Sequence, residues 1–160
     1  MSRIATCLWF DRDGEEAARF YTSLISNSRI DRVTPYKAES PAGNKIGDTM
    51  IVEFTLDGQQ YQALNGGPIF KHSPAASIVV LTPDQAETDR LWDGFIGNGG
   101  QPVQCGWLTD RWGLSWQIVP KRLIELTIDA DGEKARRATE AMLKQVKIDI
   151  AEIESAAAGA

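Results

Sequence analysis

The chain has 160 residues, of which 42% are hydrophobic and 24% are charged, and its formal net charge is −5. This composition is typical of a folded globular protein and excludes a disordered one. The acidic balance opposes a nucleic-acid partner, because phosphate backbones attract basic surfaces, and no apolar run is long enough to cross a membrane. The two cysteines, Cys7 and Cys105, are far apart and form no CxxC motif, which predicts a reduced, cytoplasmic protein.

The first predicted elements are a strand and a helix. Ile4 to Phe10 is an apolar run typical of a buried strand. Asp13 and Glu16 then have the spacing of a capping box and predict the start of a helix. One face of that helix is apolar and consists of Ala17, Phe20, Tyr21, Leu24 and Ile25.

Three strands are predicted to follow this helix. The first is Arg29 to Tyr36, and a polar loop from Lys37 to Gly47 comes after it. Asp57-Gly58 is a hairpin-turn signal, so the segments on its two sides, Thr49 to Leu56 and Gln59 to Asn65, are predicted to pair.

The second half of the chain repeats this order. Ser77 to Leu81 is predicted as a buried strand, and Thr82-Pro83-Asp84-Gln85 as the start of a helix with proline in its first turn. The half closes with a hairpin whose strands are Trp107 to Asp110 and Leu114 to Val119.

The two predicted helices have the same apolar phase. A shift of 71 residues superposes Phe20 on Leu91 and Tyr21 on Trp92. Equal phase at a constant offset indicates an internal duplication, and each module alone would leave one face of its sheet uncovered. We therefore expect two βαβββ modules that together form a curved mixed sheet around a cup.

The predicted fold class is α+β. Residues 1–120 contain the paired modules, which occupy about 1–70 and 71–120. Residues 121–160 are predicted as a helical extension of the same domain, because an apolar stripe runs through Asp131 to Ala158.

Several stretches resemble one known family. They are Leu8 to Asp11, Glu16 to Tyr21, Ala63 to Pro68, and Cys105 to Pro120. These segments are similar to those of the PhnB-like proteins of the glyoxalase and bleomycin-resistance superfamily. The resemblance implies the vicinal oxygen chelate fold over nearly the whole chain. Such proteins often carry the label 3-demethylubiquinone-9 3-methyltransferase.

The residues do not support a methyltransferase of the Rossmann type. Such an enzyme holds its methyl donor at a glycine-rich turn between a strand and a helix. Here Asn65-Gly66-Gly67 is followed by Pro68 and further loop residues. A methyl-donor site is therefore not predicted.

The resemblance also implies where a site would lie. In metal-dependent members of the superfamily, four inward side chains from the first and last strands of the two modules hold a divalent metal. Gln62 lies four residues after Gly58, and Gln117 lies four residues after Gly113. Because both glycines mark hairpin turns, the two glutamines correspond across the repeat.

The offset of 71 residues pairs Thr6 with Ser77 in the first strands, and a shift of one residue would bring in Ala5 or Cys7 instead of Thr6. The resulting set of Thr6, Gln62, Ser77 and Gln117 contains no imidazole and no carboxylate. Transition metals prefer those ligands, so we expect neither a tightly bound metal nor another cofactor. Weak binding of a divalent metal remains an alternative.

Aromatic residues extend the candidate ligand site. Trp116 has the opposite strand parity to Gln117 and is predicted to be core, whereas Trp9 and Trp107 are candidates to line the cup. Asp110 is most simply a turn former, although Asp110 or Glu53 could act as an acid or base. No catalytic residue is assigned. The predicted ligand-binding residues are Thr6, Trp9, Gln62, Ser77, Trp107 and Gln117.

These expectations leave three functions open. The first is a metal-free protein that binds a small molecule in the cup. The second is a divergent enzyme of the glyoxalase type, an isomerase, lyase or thiol transferase, with the methyltransferase less favoured. The third is an assembly component with a vestigial cup. A homodimer is expected under all three, since the apolar stripe of the C-terminal extension needs a partner.

Overall fold

A computed structural model of the chain describes residues 3–159, so the first two residues and the last residue of the predicted ranges lie outside it. The chain divides into two compact units, one ending at His72 and the other beginning at Ser73. Within the described residues, no helix has the length and apolar character needed to cross a membrane.

The first unit is a four-stranded mixed sheet with one helix. Its strands lie in the order β1-β4-β3-β2, with β1 parallel to β4 and the other neighbours antiparallel. Its elements are β1 (Thr6–Phe10), α1 (Gly14–Leu24), β2 (Arg29–Pro35), β3 (Thr49–Leu56) and β4 (Gln59–Asn65).

The second unit has the same strand order, β5-β8-β7-β6, and adds three helices after the sheet. The predicted α+β class, with two βαβββ modules and a helical tail, is confirmed. The elements are β5 (Ser77–Thr82), α2 (Gln85–Gly97), β6 (Gln101–Pro102), β7 (Trp107–Thr109), β8 (Ser115–Pro120), α3 (Lys121–Thr127), α4 (Gly132–Met142) and α5 (Ile150–Ala158).

Helix α1 covers one face of the first sheet. Its Tyr21 is fully buried, and the ring lies 6.3 Å from that of Phe54 on β3. Phe54 in turn stacks on Tyr61 of β4 at 5.5 Å. Because side chains alternate between the two faces of a strand, the neighbours of Phe54 and Tyr61 belong to the opposite face, which we call the open face of the first sheet.

Helix α2 covers the second sheet in the same way. The ring of Phe95 lies 4.7 Å from that of Trp116, whose side chain is fully buried. The predicted core position of Trp116 is therefore confirmed. Gln117 has the opposite parity and lies on the open face of the second sheet.

The predicted capping box at the start of α1 is wrong. Asp13 occupies the N-cap position but makes no side-chain hydrogen bond to the helix. Asn65, 51 residues further along the chain, accepts instead from the backbone N–H of Gly14 through Oδ1 at 2.8 Å. A Cβ on Gly14 would lie 2.7 Å from that oxygen, so this close approach requires glycine.

The C-terminal extension is helical, as predicted, and consists of three helices. It forms α3, α4 and α5, and the segment 143–149 between α4 and α5 turns back onto the sheet. Gln145 and Val146 accept hydrogen bonds through their backbone carbonyls from the N–H groups of Cys105 and Gly106, both at 2.8 Å. The three helices and the segment 143–149 share a buried core of Leu123, Leu126, Ala138, Ile148, Ile153 and Ala157.

Candidate functional site

Polar side chains form a row across the open face of the first sheet. The strand register places Cys7 beside Gln62, Gln62 beside Glu53, and Glu53 beside Arg32. These positions alternate with the buried aromatic residues of the covered face. The row therefore presents a thiol, an amide, a carboxylate and a guanidinium on one surface.

A β-bulge at Asp31 adds a second arginine to this surface. Arg29 pairs with Thr55, and Arg32 pairs with Glu53, while Asp31 has no partner in the register. Residues three apart in a regular strand point to opposite faces, but one bulged residue restores the same side. Arg29 and Arg32 consequently both lie on the open face.

The charged groups on this face are paired with each other. Asp31 Oδ1 forms an ion pair with Arg29 Nε at 2.7 Å, and Asp31 Oδ2 accepts a hydrogen bond from the hydroxyl of the buried Thr55 at 2.6 Å. Arg32 Nε donates to Glu53 Oε2. This hydrogen bond raises the pKa of Arg32 above its ordinary value, so the guanidinium stays cationic over the accessible pH range.

A cavity of about 780 Å³ opens over this network. Three guanidinium groups and two carboxylates contribute to its wall, so its lining carries a net positive charge, whereas the whole chain is acidic. The lining residues are Arg3, Ile4, Ala5, Arg29, Asp31, Arg32, Glu53, Phe54, Thr55, Gly58, Gln60, Tyr61 and Gln62.

Thr6 does not lie with Gln62. It is in register with Tyr61, on the covered side of the sheet, and Cys7 takes the position beside Gln62. The one-residue shift considered from the sequence is therefore the register that the strands adopt. Burial raises the pKa of the Cys7 thiol, so Cys7 is less often a thiolate at neutral pH than an ordinary cysteine.

Trp9 is on the open face, but its indole is held by packing. Its Nε1 donates to the carbonyl of Gly67 at 2.8 Å, and its ring lies edge-on to Phe70 at 4.9 Å. A Cβ on Gly66 would lie 2.2 Å from the Trp9 ring. The indole therefore fills the space above the glycine pair.

The remaining predicted residues lie in the second unit. Trp107 is beside Gln117, and Gln117 is beside Val79 in the register. Gln117 Nε2 donates to Ser77 Oγ at 2.9 Å, so the structure brings these two predicted residues together. Val79 and Leu81 are about half exposed, which makes this open face apolar around one amide and one hydroxyl.

Asp110 has a structural role in the hairpin between β7 and β8. Its buried carboxylate accepts from the backbone N–H groups of Trp112 and Leu114 at 2.9 and 3.0 Å. Its second oxygen accepts from Trp116 Nε1 at 2.9 Å. The prediction of a turn-forming Asp110 is confirmed.

Sequence reasoning missed most of the charged network. Of this network, only Glu53 is a candidate from the sequence, as an acid or base, and Arg29, Asp31, Arg32 and Thr55 are not. The alternation of residues in β3 indicates that Glu53 and Thr55 share the face opposite to Phe54, because they have the opposite parity to it. The bulge that brings Arg29 and Arg32 to one face has no such signal in the pattern.

Residues 3–159 contain no group of three or more His, Cys, Asp or Glu side chains arranged to hold a metal ion. The single histidine, His72, packs edge-on against Phe10 at 5.3 Å. On the first sheet, the donor set nearest Gln62 consists of one thiol and one carboxylate, and that carboxylate is already paired with Arg32.

The fold and these motifs define the family of proteins to which the chain belongs. The chain belongs to the family described as 3-demethylubiquinone-9 3-methyltransferase, whose sequence profile matches residues 2–119. The helices from α3 onward lie beyond that match.

Solved structures agree with this assignment. The PhnB protein from Bacillus cereus is 30% identical with a TM-score of 0.66, over 74% of this chain and 99% of that chain. Protein PA1353 from Pseudomonas aeruginosa is 20% identical with a TM-score of 0.60, over 75% and 98% of the two chains, and shows the fold alone. No curated protein matches this chain. The predicted resemblance to PhnB-like proteins is confirmed.

Proposed function

We propose that this protein binds a small molecule on the open face of its first sheet, without a tightly bound metal. The observation that carries the proposal is the cavity of about 780 Å³ over a network of paired charges. A cavity of this size is within the range that holds drug-sized ligands, and a few convergent polar groups fix orientation in such sites.

The network is suited to binding because its geometry is set before a ligand arrives. The buried Thr55 hydroxyl donates to Asp31, which also pairs with Arg29, and Arg32 donates to Glu53. Side chains that are already ordered lose less conformational entropy when a ligand contacts them. Gln62, next to Glu53 in the register, adds an amide with both donors and an acceptor.

The residues do not fit the methyl donor that the family description implies. A glycine pair serves a cofactor when it leaves room for close approach, but here the Trp9 indole lies against Gly66. The Trp9 N–H also occupies the carbonyl of Gly67. We therefore derive no methyl-transfer step at this turn.

A thermal-shift screen of the purified full chain tests the proposal. We expect an organic compound from a metabolite panel, or one identified by mass analysis of copurified material, to raise the Tm. The shift is expected to be lost in Gln62→Ala and kept in Gln59→Ala, a control outside the cavity lining on the same strand. A panel with no stabilising compound and no copurified molecule would contradict the proposal.

A second candidate is an enzyme of the glyoxalase type that uses Glu53 for proton transfer. The observation that favours it is that Glu53 lines the cavity, and only its Oε2 is paired with Arg32. A carboxylate beside a bound substrate can act as a general base. Turnover of the bound compound that disappears in Glu53→Gln, with binding retained, would support this candidate.

The expectations of a cytoplasmic protein and of a homodimer are also part of the proposal. The apolar side chains Val79 and Leu81 on the second open face support self-association, since each is about half exposed. Sedimentation analysis of the full chain measures it directly. A monomer at micromolar concentration would contradict the dimer and leave the ligand proposal unaffected.

A further inference from the structure

We infer that the ligand of the first sheet is a small organic anion, with a carboxylate or phosphate group joined to an apolar body. The inference rests on the proposed binding function and deepens it. It comes from three features of the open face: unused arginine donors, carboxylates already paired with cations, and an apolar row beside the polar one.

The arginines keep most of their donors available. A guanidinium carries five N–H groups in a planar fork. Arg29 forms an ion pair with Asp31 and Arg32 donates a hydrogen bond to Glu53, each through Nε, and no hydrogen bond from an Nη atom of either side chain is found among residues 3–159. The four N–H groups on the two Nη atoms of each guanidinium can therefore bind oxygen atoms of a ligand, and a carboxylate or phosphate matches this fork geometry.

A third guanidinium adds positive charge that is not neutralised. Arg3 lines the same cavity and forms no ion pair within the part of the chain that the structure describes. The cavity thus has one more guanidinium than it has carboxylates. A ligand of negative charge would balance this excess, whereas a cation would increase it.

The carboxylates are poorly placed to recognise a cation. Both oxygens of Asp31 already have partners, since Oδ1 forms an ion pair with Arg29 and Oδ2 accepts from the Thr55 hydroxyl. Glu53 has one oxygen on Arg32. A ligand amine would have to displace a partner of Asp31, or bind Glu53 Oε1 next to the cationic Arg32. The same network that presents guanidinium donors therefore disfavours an amine.

An apolar row lies next to the polar row on the same face. Ile51 is beside Leu64, and Leu64 is beside Trp9 in the register. Each is two residues from a member of the polar row on its own strand, which is roughly 7 Å along the strand. The spacing places an apolar surface within reach of a ligand whose anionic group contacts the arginines.

A charge series on one ring tests the inference with the full chain. The probes are benzoate, phenyl phosphate, benzamide and benzylamine, measured by titration calorimetry at low ionic strength. We expect benzoate or phenyl phosphate to bind roughly tenfold or more tightly than benzamide, because the neutral amide loses the charge-assisted hydrogen bonds, and benzylamine to bind least. The comparison of benzoate with phenyl phosphate distinguishes the two anionic groups.

Arginine variants test which side chains bind the anion. Arg32→Gln and Arg29→Gln are expected to weaken the favoured anion about tenfold, and Arg32→Lys to weaken it less, because lysine keeps the charge but not the fork. Both arginine side chains are largely exposed, so these variants should fold. The matched control is Arg136→Gln on α4, which removes an arginine paired with Glu133 and Glu140 on the surface.

The outcomes separate the two proposals. Equal or tighter binding of benzamide or benzylamine, lost in Gln62→Ala, would overturn the anion inference and support a ligand site on this face. Binding of anions that is unchanged in both arginine variants would also overturn it. If no member of the series binds, the anion inference fails, and the metabolite screen decides the binding function independently.

Discussion

The two sheets share a strand order but present different chemistry on their open faces. In the first, Glu53, Gln62 and Cys7 form a row, whereas the equivalent row of the second is Trp107, Gln117 and Val79. The covered faces are more alike: buried aromatic residues, Tyr61 and Trp116, precede the two glutamines. Packing against a helix constrains one face, and the other is left to diverge in function.

Strand length explains part of the difference. The strands β2 and β3 have 7 and 8 residues, but β6 and β7 have only 2 and 3. A two-residue edge strand has no room for two arginines and a bulge. The second unit instead uses Cys105 and Gly106, just before β7, to bind the segment between α4 and α5.

The largest expected effect on stability is a difference between the hairpins of the two units. Asp110→Ala should lower the free energy of unfolding by about 3 kcal/mol, because it leaves three donors without their acceptor in a buried turn. Asp57→Ala, in the hairpin of the first unit, should cost about 1 kcal/mol, since this exposed residue loses one contact with Asn27 and keeps a positive φ. Urea unfolding checks both, and equal losses would contradict the different roles.

Glycine substitutions probe the packing of the family motif. Gly66→Ala should destabilise the protein by about 2 kcal/mol, because the added methyl meets the Trp9 ring. The control Gly97→Ala, at the end of α2 with open space around it, should be neutral or slightly stabilising. Thermal unfolding measures the pair, and an unchanged Tm in Gly66→Ala would show that the indole can move away.

A matched threonine pair tests the charged network itself. Thr55→Val should cost about 1 kcal/mol, because Asp31 loses a buried hydroxyl donor. Thr109, the equivalent residue of the second sheet, has no comparable partner among the described side chains, so Thr109→Val should change stability by less than about 0.5 kcal/mol. Chemical denaturation of both variants gives the comparison, which fails if the two losses are the same.

The smallest effect concerns the two helices that cover the sheets. Hydrogen bonds from Thr49 and Arg19 lower the pKa of Glu15, and one from Arg90 lowers the pKa of Glu87. Glu15→Gln should cost about 0.5 kcal/mol at pH 7, and more than Glu87→Gln, because only Glu15 ties its helix to the sheet through Thr49.

The sign of the pH dependence follows from the lowered pKa of Glu15. The carboxylate contributes stability above its unfolded-state pKa, and this contribution is lost as the pH falls through the folded-state value. The difference between the natural protein and Glu15→Gln should therefore shrink below pH 4.5. Unfolding curves between pH 3 and 7 check this, and a difference that grows on acidification would contradict it.

Local signals predicted much of the first unit correctly. The bounds of β3 and β4 match because Asp57-Gly58 fixes the hairpin between them. The start of α1 at Asp13-Gly14 is also predicted correctly, but its cap is not, because the first N–H is satisfied by Asn65 from a distant strand, which no local pattern shows. The short helix α3 lies within the predicted helical extension, but its bounds are not predicted, because it follows Pro120 directly and has no side-chain cap.

The candidate site was predicted less well. Gln62, a predicted ligand-binding residue, lies in the cavity wall. Its neighbour on β1 is Cys7 and not Thr6, because a one-residue shift in strand register moves every side chain of a strand to the opposite face. The positions of Arg29 and Arg32 depend on the bulge at Asp31. Charge pairs across strands are long-range consequences of register and could not be derived from composition.

The most direct test of the account compares the two equivalent glutamines. Gln62→Ala and Gln117→Ala are titrated with the compound that most raises the Tm of the natural protein. The account predicts roughly tenfold weaker binding for Gln62→Ala, and a change of about twofold or less for Gln117→Ala, whose amide donates to Ser77 on the second sheet. Lost binding in Gln117→Ala with full affinity in Gln62→Ala would contradict a ligand site on the first sheet.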